Sequence, residues 1–308
     1  MNIVFNFNNC GMGNNGGTRT ILYCQKTLEK MGHNCDIITP IDKFTWFKHK
    51  PPLCNPPSNI DILIATSCKT VDSTLKIPAK KKAWYIRAHE TWAMSEKELI
   101  KKYNSGLVNI VNSNALKEQL EQYGIKSTVV YQGIDIEQWY NTNPSKSSKI
   151  TIGCLHTTQP RKRWKDFIKL ANILGHKNYN YVGIGSSQPR EQFLSNFVLN
   201  GDSNQLRELY SSCDIWFAPT NSEGLHNVPM EASLCGCLIV CSDAPLNGMI
   251  KDYANEKTAM IYPSKDINEA ARLIQNAQWD LIKPMQNYIK TNIKSRRDNM
   301  QALVSLFE

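Results

Sequence analysis

The chain has 308 residues, of which 41% are hydrophobic, and its net charge is +9. This is enough apolar chain for two domains with cores of ordinary size. Its apolar runs fall well short of the ~18 residues that a membrane-spanning helix requires, so no such helix is expected. The ten cysteines form no C-x-x-C pair and no zinc-type spacing, and the N-terminal segment lacks the basic stretch of a signal peptide, so a cytoplasmic protein is expected.

The positive charge is concentrated in the first half of the sequence. Residues 1–150 contain 19 lysines and arginines against 12 acids, a net +7, whereas residues 151–308 contain 17 against 15, a net +2. A field of this sign would attract an anionic partner, and a peripheral position at the inner membrane surface is one form of that hypothesis. A lysine-rich solvated surface explains the same composition.

The first half begins as a strand, a glycine-rich loop and a helix. The strand is predicted over Asn2–Phe7, and the helix after the loop ends near Gly32. This order is typical of a doubly wound α/β domain. Because Gly11, Gly13 and Gly16 fit a G-x-G-x-x-G pattern and Asp36 follows at about the right distance, a nicotinamide-dependent reductase is an alternative.

Further strands of the first half are predicted over 33–39, 60–65, 83–87 and 108–111. His89 and Trp92 follow the fourth strand, where residues beyond the carboxyl end of a parallel strand line a ligand crevice. The aromatic and basic segment 42–50 suits either an exposed surface, for base stacking or at a membrane interface, or a loop whose aromatic side chains pack onto the sheet. The polar stretch Asn141–Lys149 is the predicted linker.

The second half repeats the alternation of strands and helices. A strand over Ile150–Cys154 leads to a basic turn with Arg161 and Lys162, and another strand ends near Gly185. A single long terminal helix is predicted over Leu281–Phe307.

The most informative segment is DIWFAPTNSEGLHNVPMEASLCGCLIV, residues 214–240. A buried strand, Ile215–Ala218, precedes a loop, and a helix follows from near Asn227, with Pro229 just inside it. The helix is predicted to run to Cys235 and stop at Gly236, before a second buried strand over Leu238–Cys241. Free N–H groups at such a helix start bind anions, so a diphosphate is the expected ligand. The carboxylates of Glu223 and Glu231 suit vicinal hydroxyls of a sugar or ribose. The local chemistry therefore indicates a nucleoside diphosphate linked to a sugar.

This segment also resembles the donor signature of family 4 glycosyltransferases of the GT-B fold. The matching residues begin with Glu223 and Gly224. Glu231 follows, with seven residues, Gly224 included, between the two glutamates, and Ala-Ser-x-x-Gly-Cys comes directly after it. The resemblance implies an α/β protein with two Rossmann-like, doubly wound parallel-sheet domains facing across a cleft. It implies an acceptor domain over 1–142, completed by a returning C-terminal helix over 283–308, and a donor domain over 150–280.

The resemblance also assigns site residues. Catalytic roles are implied for His89, Glu223, Lys162 and Arg161. Donor contacts are implied for Gly16, Gly17, Gly185, Arg161, Lys162, Glu223, Gly224, Leu225, His226, Asn227, Val228 and Glu231. Acceptor contacts are implied for Arg19, His89 and Trp92. His156 stands where the family has an arginine, and Arg161 and Arg163 are both candidates to replace it.

The implied reaction is the retaining transfer of a hexose from a UDP- or GDP-sugar to an acceptor hydroxyl, without a metal or another cofactor. A glycan or a lipid-linked saccharide is the expected acceptor. Hydroxymethylated bases in DNA are the alternative that the basic first half favours. A non-catalytic nucleotide-sugar binder is a further alternative beside the reductase.

Overall fold

The computed structural model describes residues 1–143 and 147–308. Pro144–Lys146, inside the predicted linker, lie outside the described residues. The chain forms two compact units, one of residues 1–133 with 295–308 and one of residues 134–294. Among the described residues, no helix is long and apolar enough to cross a membrane.

The first unit is built on a parallel sheet of six strands in the order β2-β1-β3-β4-β5-β6. Its strands are β1 (Asn2–Asn6), β2 (Asn34–Ile38), β3 (Ile62–Ala65), β4 (Lys81–Ile86), β5 (Val108–Val111) and β6 (Thr128–Val129). Its first four helices are α1 (Gly16–Lys30), α2 (Val71–Lys76), α3 (Glu96–Tyr103) and α4 (Asn114–Glu121). The apolar strands are buried because helices cover the sheet, as parallel sheets require.

Helix α1 illustrates how the sequence fixes these elements. The side chain of Asn15 accepts the N–H of Thr18 at 2.8 Å and so caps the first turn. Ile21 and Leu28 lie on the buried face of the helix, and Gly32 ends it in the left-handed region at φ 89°. The glycine-rich loop therefore lies between the carboxyl end of β1 and a well-capped helix start.

The aromatic segment 42–50 packs onto the first unit. Phe44 is 6% exposed, and its ring lies 4.9 Å from Phe47 and 5.6 Å from Trp46. Phe47 in turn stacks on Tyr23 of α1 at 4.8 Å. Of the two interpretations drawn from the sequence, the packed loop is confirmed.

The second unit has its own parallel sheet of six strands in the order β14-β12-β10-β7-β8-β9, and a small sheet of β11 and β13. Its strands are β7 (Ile150–His156), β8 (Tyr179–Gly185), β9 (Asn196–Leu199), β10 (Ile215–Ala218), β11 (Ser222–Glu223), β12 (Leu238–Ser242), β13 (Leu246–Asn247) and β14 (Met260–Tyr262). Its helices are α5 (Trp164–Leu174), α6 (Ser203–Ser212), α7 (Asn227–Leu234), α8 (Gly248–Asp252), α9 (Ile267–Gln275) and α10 (Ile282–Tyr288).

The prediction of one terminal helix over Leu281–Phe307 is wrong. Helix α10 passes into a π-helical turn at Ile289–Ile293, and Lys294 then adopts φ 64°, which ends the helix. Ser295 caps the separate helix α11 (Arg296–Ser305) through a reciprocal capping box with Asp298. Consequently residues 283–294 belong to the second unit, and the chain returns to the first unit only at Ser295.

Helix α11 completes the core of the first unit. Its buried side chains Met300, Leu303 and Val304 belong to the same apolar cluster as β1 and α1. Gly133 adopts φ 64°, and a Cβ there would lie 2.4 Å from the Cα of Arg296, so only glycine fits.

Candidate functional site

The basic turn of the second unit follows β7 and is tied to the loop after β10. Pro160–Lys162 form one 3-10 turn, and Arg163 adopts a left-handed conformation at φ 55° before α5 begins. The carbonyl of Arg161 accepts the N–H of Asn221 at 2.8 Å and the hydroxyl of Thr220 at 3.3 Å. The two loops therefore hold one another at the carboxyl edge of the sheet, where ligands bind in open α/β folds.

Glu223 collects three side chains from these two loops. Lys162 donates from Nζ to Oε1, and Arg161 donates from Nη1 to Oε2 at 3.2 Å. The hydroxyl of Thr220 also donates to Oε1, at 3.1 Å. Arg161 Nη1 donates in addition to the carbonyl of Ser222 at 2.8 Å. We call Arg161, Lys162, Thr220 and Glu223 the loop cluster.

The charges in the loop cluster are shielded from water and depend on one another. The side chains of Glu223 and Lys162 are 10% and 13% exposed. Burial alone would raise the pKa of the Glu223 carboxyl, but the charge of Lys162 and its neighbours prevails and lowers it to about 2. Burial lowers the pKa of Lys162, and the Glu223 carboxylate offsets part of that effect. The Glu223 carboxyl is therefore ionised at neutral pH.

The position of Glu223 depends on residues that the sequence did not single out. Glu223 pairs with Asn247 in the small sheet of β11 and β13. A Cβ on Gly248 would lie 1.6 Å from the carbonyl oxygen of Gly224, so the backbone approaches there as only glycine allows. An Asn-Gly pair such as Asn247-Gly248 is a turn signal in a sequence, but no local pattern connects this pair to Glu223.

Helix α7 begins at Asn227, as predicted, shortly after Glu223 of the loop cluster. His226 occupies the cap position without a side-chain capping hydrogen bond, and the first turn contains no acidic residue. The ends of the helix match the prediction, because Gly236 follows its last turn at φ 98°. A helix start of this kind attracts anions.

Glu231 lies on α7, but away from the loop cluster contacts. Its side chain is buried, with the residue 5% exposed, and the phenol of Tyr210 donates to Oε2 at 3.3 Å. Tyr210 packs between Trp139 and Trp216, with ring distances of 5.7 and 5.0 Å. Glu231 is thus held by the hydroxyl of a tyrosine that is itself packed among aromatic rings.

His156, at the end of β7, is a packed residue. Its Nδ1 lies 2.8 Å from the carbonyl oxygen of Ser187, and its ring meets Trp164 edge-on at 4.8 Å. A Cβ on Gly185 would lie 2.7 Å from the His156 carbonyl oxygen, so this glycine permits the close approach of β8. Arg163 pairs with Asp166 in the first turn of α5, which leaves Arg161 as the arginine that reaches Glu223.

In the first unit, Gly16 and Gly17 open helix α1, and Arg87 lies against them. Arg87 donates from Nη1 to the carbonyl of Gly17 and from Nη2 to the carbonyl of Thr66 at 2.7 Å. A Cβ on Gly17 would lie 3.0 Å from Arg87 Nη1. The guanidinium of Arg19 lies 5.5 Å from the ring centre of Tyr23.

His89 is enclosed by two tyrosines of the first unit. Its ring stacks on Tyr103 at 6.1 Å and on Tyr123 at 5.9 Å, and its Nδ1 lies 3.1 Å from the Tyr103 hydroxyl. Its Nε2 lies 3.6 Å from Glu96 Oε1. Burial lowers the pKa of His89, although Glu96 opposes this, so the ring is neutral at pH 7. Trp92 is 57% exposed.

Asp36, the acid on which the reductase alternative depends, already forms an ion pair. Asp36 lies within β2, and its Oδ1 is 2.6 Å from Lys50 Nζ. Residues 7–15 separate β1 from α1, so the glycine pattern lies in a long loop. A dinucleotide fingerprint places its glycines in a tight strand-to-helix turn, and the local structure differs from that geometry.

Comparison with known proteins identifies the second unit. Residues 149–278 match the family model of glycosyl transferases group 1. Compared with curated protein sequences, the chain has no significant match.

Solved structures match the whole chain in fold. Sucrose-phosphate synthase from Thermosynechococcus elongatus is 14% identical, with a TM-score of 0.77 over 100% of this chain and 98% of that one. HepE from Anabaena, in complex with UDP, is 13% identical, with a TM-score of 0.76 over 99% of each chain. A glycosyltransferase from Rickettsia africae is 14% identical, with a TM-score of 0.76 over 99% of this chain and 97% of that one.

The two six-stranded parallel sheets and these structural matches confirm the predicted α/β fold with two doubly wound domains. Residues 149–278 match the model of glycosyl transferases group 1, and the resemblance to family 4 glycosyltransferases of the GT-B fold is confirmed.

Proposed function

We propose that this protein is a retaining glycosyltransferase that moves a hexose from a nucleoside-diphosphate sugar to an acceptor hydroxyl. The observation that carries the proposal is the loop cluster, which joins two cations and a carboxylate beside the start of α7. It lies within the segment that matches the glycosyl transferases group 1 model. HepE, one of the structural neighbours, has been solved with UDP and with UDP-glucose, which supports a UDP- or GDP-sugar as donor.

The donor would bind by replacing contacts within the loop cluster. Lys162 and Arg161 now neutralise Glu223, and a diphosphate offers both cations a stronger partner with more oxygens. Glu223 would then accept hydrogen bonds from the hydroxyls of the transferred sugar. Lys162 and Arg161 then pair with the diphosphate, and the Glu223 carboxylate keeps hydrogen-bond donors in the sugar hydroxyls.

Two further parts of the second unit complete the proposed donor site. Backbone N–H groups at the start of α7, over Leu225–Val228, would bind the diphosphate. The carboxylate of Glu231, four residues into the helix, would accept hydrogen bonds from the ribose hydroxyls. Gly185 would allow the backbone to lie close to the nucleotide.

The chemical step breaks the bond between the anomeric carbon and the phosphate oxygen. The acceptor oxygen bonds to that carbon on the same face, and its proton passes to the departing phosphate oxygen. Lys162 and Arg161 would stabilise the negative charge that develops on the leaving diphosphate. This gives protein cations the role that a metal plays in other transferases, and metal independence is part of the proposal.

The acceptor would bind to the first unit through Arg19, His89 and Trp92. The neutral ring of His89 suits a hydrogen bond with a hydroxyl, and the half-exposed ring of Trp92 suits the apolar face of a sugar. A glycan or a lipid-linked saccharide fits this chemistry. A DNA acceptor would instead make transfer fall steeply with salt, and that dependence distinguishes the two.

A thermal-shift panel tests the proposed donor. UDP-, GDP-, ADP- and dTDP-sugars are compared on the wild type and on Lys162→Met, with Lys165→Met as control because Lys165 is an exposed lysine of α5. A ligand at about 100 times its dissociation constant stabilises by about 2.7 kcal/mol. We expect one nucleotide to raise Tm in the wild type and the control but not in Lys162→Met. NADH is tested beside the nucleotide sugars. A rise in Tm with NADH and with none of the nucleotide sugars would contradict the proposal.

A further inference from the structure

The side chain of His226 has chemistry that the proposed function does not use. The proposal above involves only its backbone, at the start of α7. Its imidazole is buried, with the residue 6% exposed, and neither Nδ1 nor Nε2 has a hydrogen-bond partner among the described residues. Buried polar groups are nearly always paired, so an imidazole with both nitrogens unpaired points to a ligand atom.

The surroundings of His226 place it next to the loop cluster. The ring lines a hollow of about 10 Å³ together with Lys162, Thr220 and Trp216. A hollow of this size holds about one water molecule and is far too small for a phosphate group. Lys162, whose ammonium is held by Glu223, is one of the residues that line the hollow. Lys162 and His226 therefore border the same space beside Glu223.

The charges around His226 favour a neutral ring. Burial lowers the pKa of His226 to about 3; the Glu223 carboxylate opposes this effect, whereas the charges of Lys162 and Arg161 add to it. The neutral ring has one N–H donor and one acceptor nitrogen. It can donate a hydrogen bond without adding a third positive charge to a site that already contains two.

We propose that His226 donates its ring N–H to an oxygen of the donor's diphosphate and is therefore a donor-binding side chain. This inference rests on the proposed function. The N–H of the ring, the first-turn N–H groups of α7 and Lys162 then converge on one group of phosphate oxygens. The imidazole adds a directed contact to the diffuse attraction of the helix start.

Three variants test the inference by isothermal titration. His226→Leu removes both nitrogens at similar volume, whereas His226→Asn and His226→Gln each keep an amide N–H donor at a different reach. The probes are UDP, GDP and inorganic pyrophosphate, with uridine and guanosine as ligands that lack phosphate. For UDP or GDP, whichever the wild type binds, we expect His226→Leu to lose about tenfold in affinity or more, and one amide variant to recover most of it. Pyrophosphate follows the same order.

The remaining outcomes decide against the inference in distinguishable ways. If His226→Leu binds UDP, GDP and pyrophosphate as the wild type does, the side chain does not touch the diphosphate. An equal loss for uridine or guanosine would show a displaced helix and assign His226 a structural role. If the leucine variant fails to fold, the comparison of the two amide variants carries the test, and equal affinities at the wild-type level contradict the inference. A wild type that binds no nucleotide overturns the proposed function itself.

Discussion

Lys162 donates a hydrogen bond to Glu223, although 61 residues separate them in the chain. The contact joins the turn after β7 to the loop after β10, and both side chains are largely buried. Neither charge is stable in that environment without the other. The pair is thus both a structural link between two loops and the part of the proposed site that a diphosphate would rearrange.

A double-mutant cycle measures this link. Lys162→Met leaves Arg161 as the only cation among the described residues that is hydrogen-bonded to the Glu223 carboxylate, and Glu223→Gln removes the carboxylate that pairs with Lys162. We expect each single variant to lose about 3–5 kcal/mol of unfolding free energy, because one buried charge loses its partner. The double variant should lose less than the sum, with a coupling energy of about 1–3 kcal/mol by urea denaturation. Additive losses would show that the two side chains do not depend on each other.

Gly248 determines where the Glu223 turn lies. Gly248→Ala places a Cβ 1.6 Å from the Gly224 carbonyl oxygen and 3.0 Å from that of Glu223, so the backbone of the turn must move. We expect a loss of about 1–3 kcal/mol in unfolding free energy and weaker nucleotide binding. Gly13→Ala is the matched control, because its Cβ would meet only Asn15 Nδ2, at 3.7 Å. Equal behaviour of the two variants would contradict the packing described at Gly248.

The pH dependence of stability reports on His226. In the folded protein its pKa is about 3, whereas the unfolded chain takes up a proton near pH 6.5, so this residue's contribution to stability is present above pH 6.5 and is lost as the pH falls towards 3. At pH 5 the loss is about 2 kcal/mol relative to neutral pH. His226→Gln should lack this part of the decline.

The range from pH 7 to 5 isolates this effect within the site. Glu223 loses its contribution only below pH 4.5, because its pKa is lowered to about 2. Arg161 and Lys162 are the other charged groups that act on His226. Parallel stability curves for the wild type and His226→Gln from pH 7 to 5 would show that the imidazole is not held neutral.

Glu231 should discriminate between nucleotides by their ribose. The proposed hydrogen bonds from the 2′ and 3′ hydroxyls predict that Glu231→Ala binds UDP or GDP about tenfold more weakly. The wild type should prefer UDP over its 2′,3′-dideoxy form, and the variant should not. Tyr210→Phe is the control, because it removes the phenol that donates to Glu231 but keeps the carboxylate. A preference that survives in Glu231→Ala would exclude the ribose role.

Much of the fold followed from local patterns, and the exceptions have physical reasons. Strand β10, helix α7 and strand β12 were predicted because an apolar run, a Pro229 inside the first turn and a left-handed Gly236 are local signals. The two-residue strands β11 and β13 are too short to show a period. The terminal helix was predicted as continuous because its apolar spacing continues past Lys294, whose left-handed backbone left no mark in the sequence.

The sequence proposed residues for the candidate site but not the contacts between them. The motif and the helix start identified Glu223 and α7, and the basic turn supplied Arg161 and Lys162. That these cations bind Glu223 depends on the order β10-β7 in the sheet, which brings their loops together. Thr220, Asn247 and Gly248 were missed for the same reason, because their roles arise only from tertiary neighbours.

The most direct test of the central claim follows the anomeric carbon. The wild type is incubated with the nucleotide sugar selected by the thermal-shift panel, and proton NMR follows the release of the nucleoside diphosphate and the first anomer formed, whether on an acceptor saccharide or on water. We expect release of the diphosphate and a product with the anomeric configuration of the donor. An inverted first product would contradict retention, and an intact donor with every saccharide offered would contradict glycosyl transfer as the function of this protein.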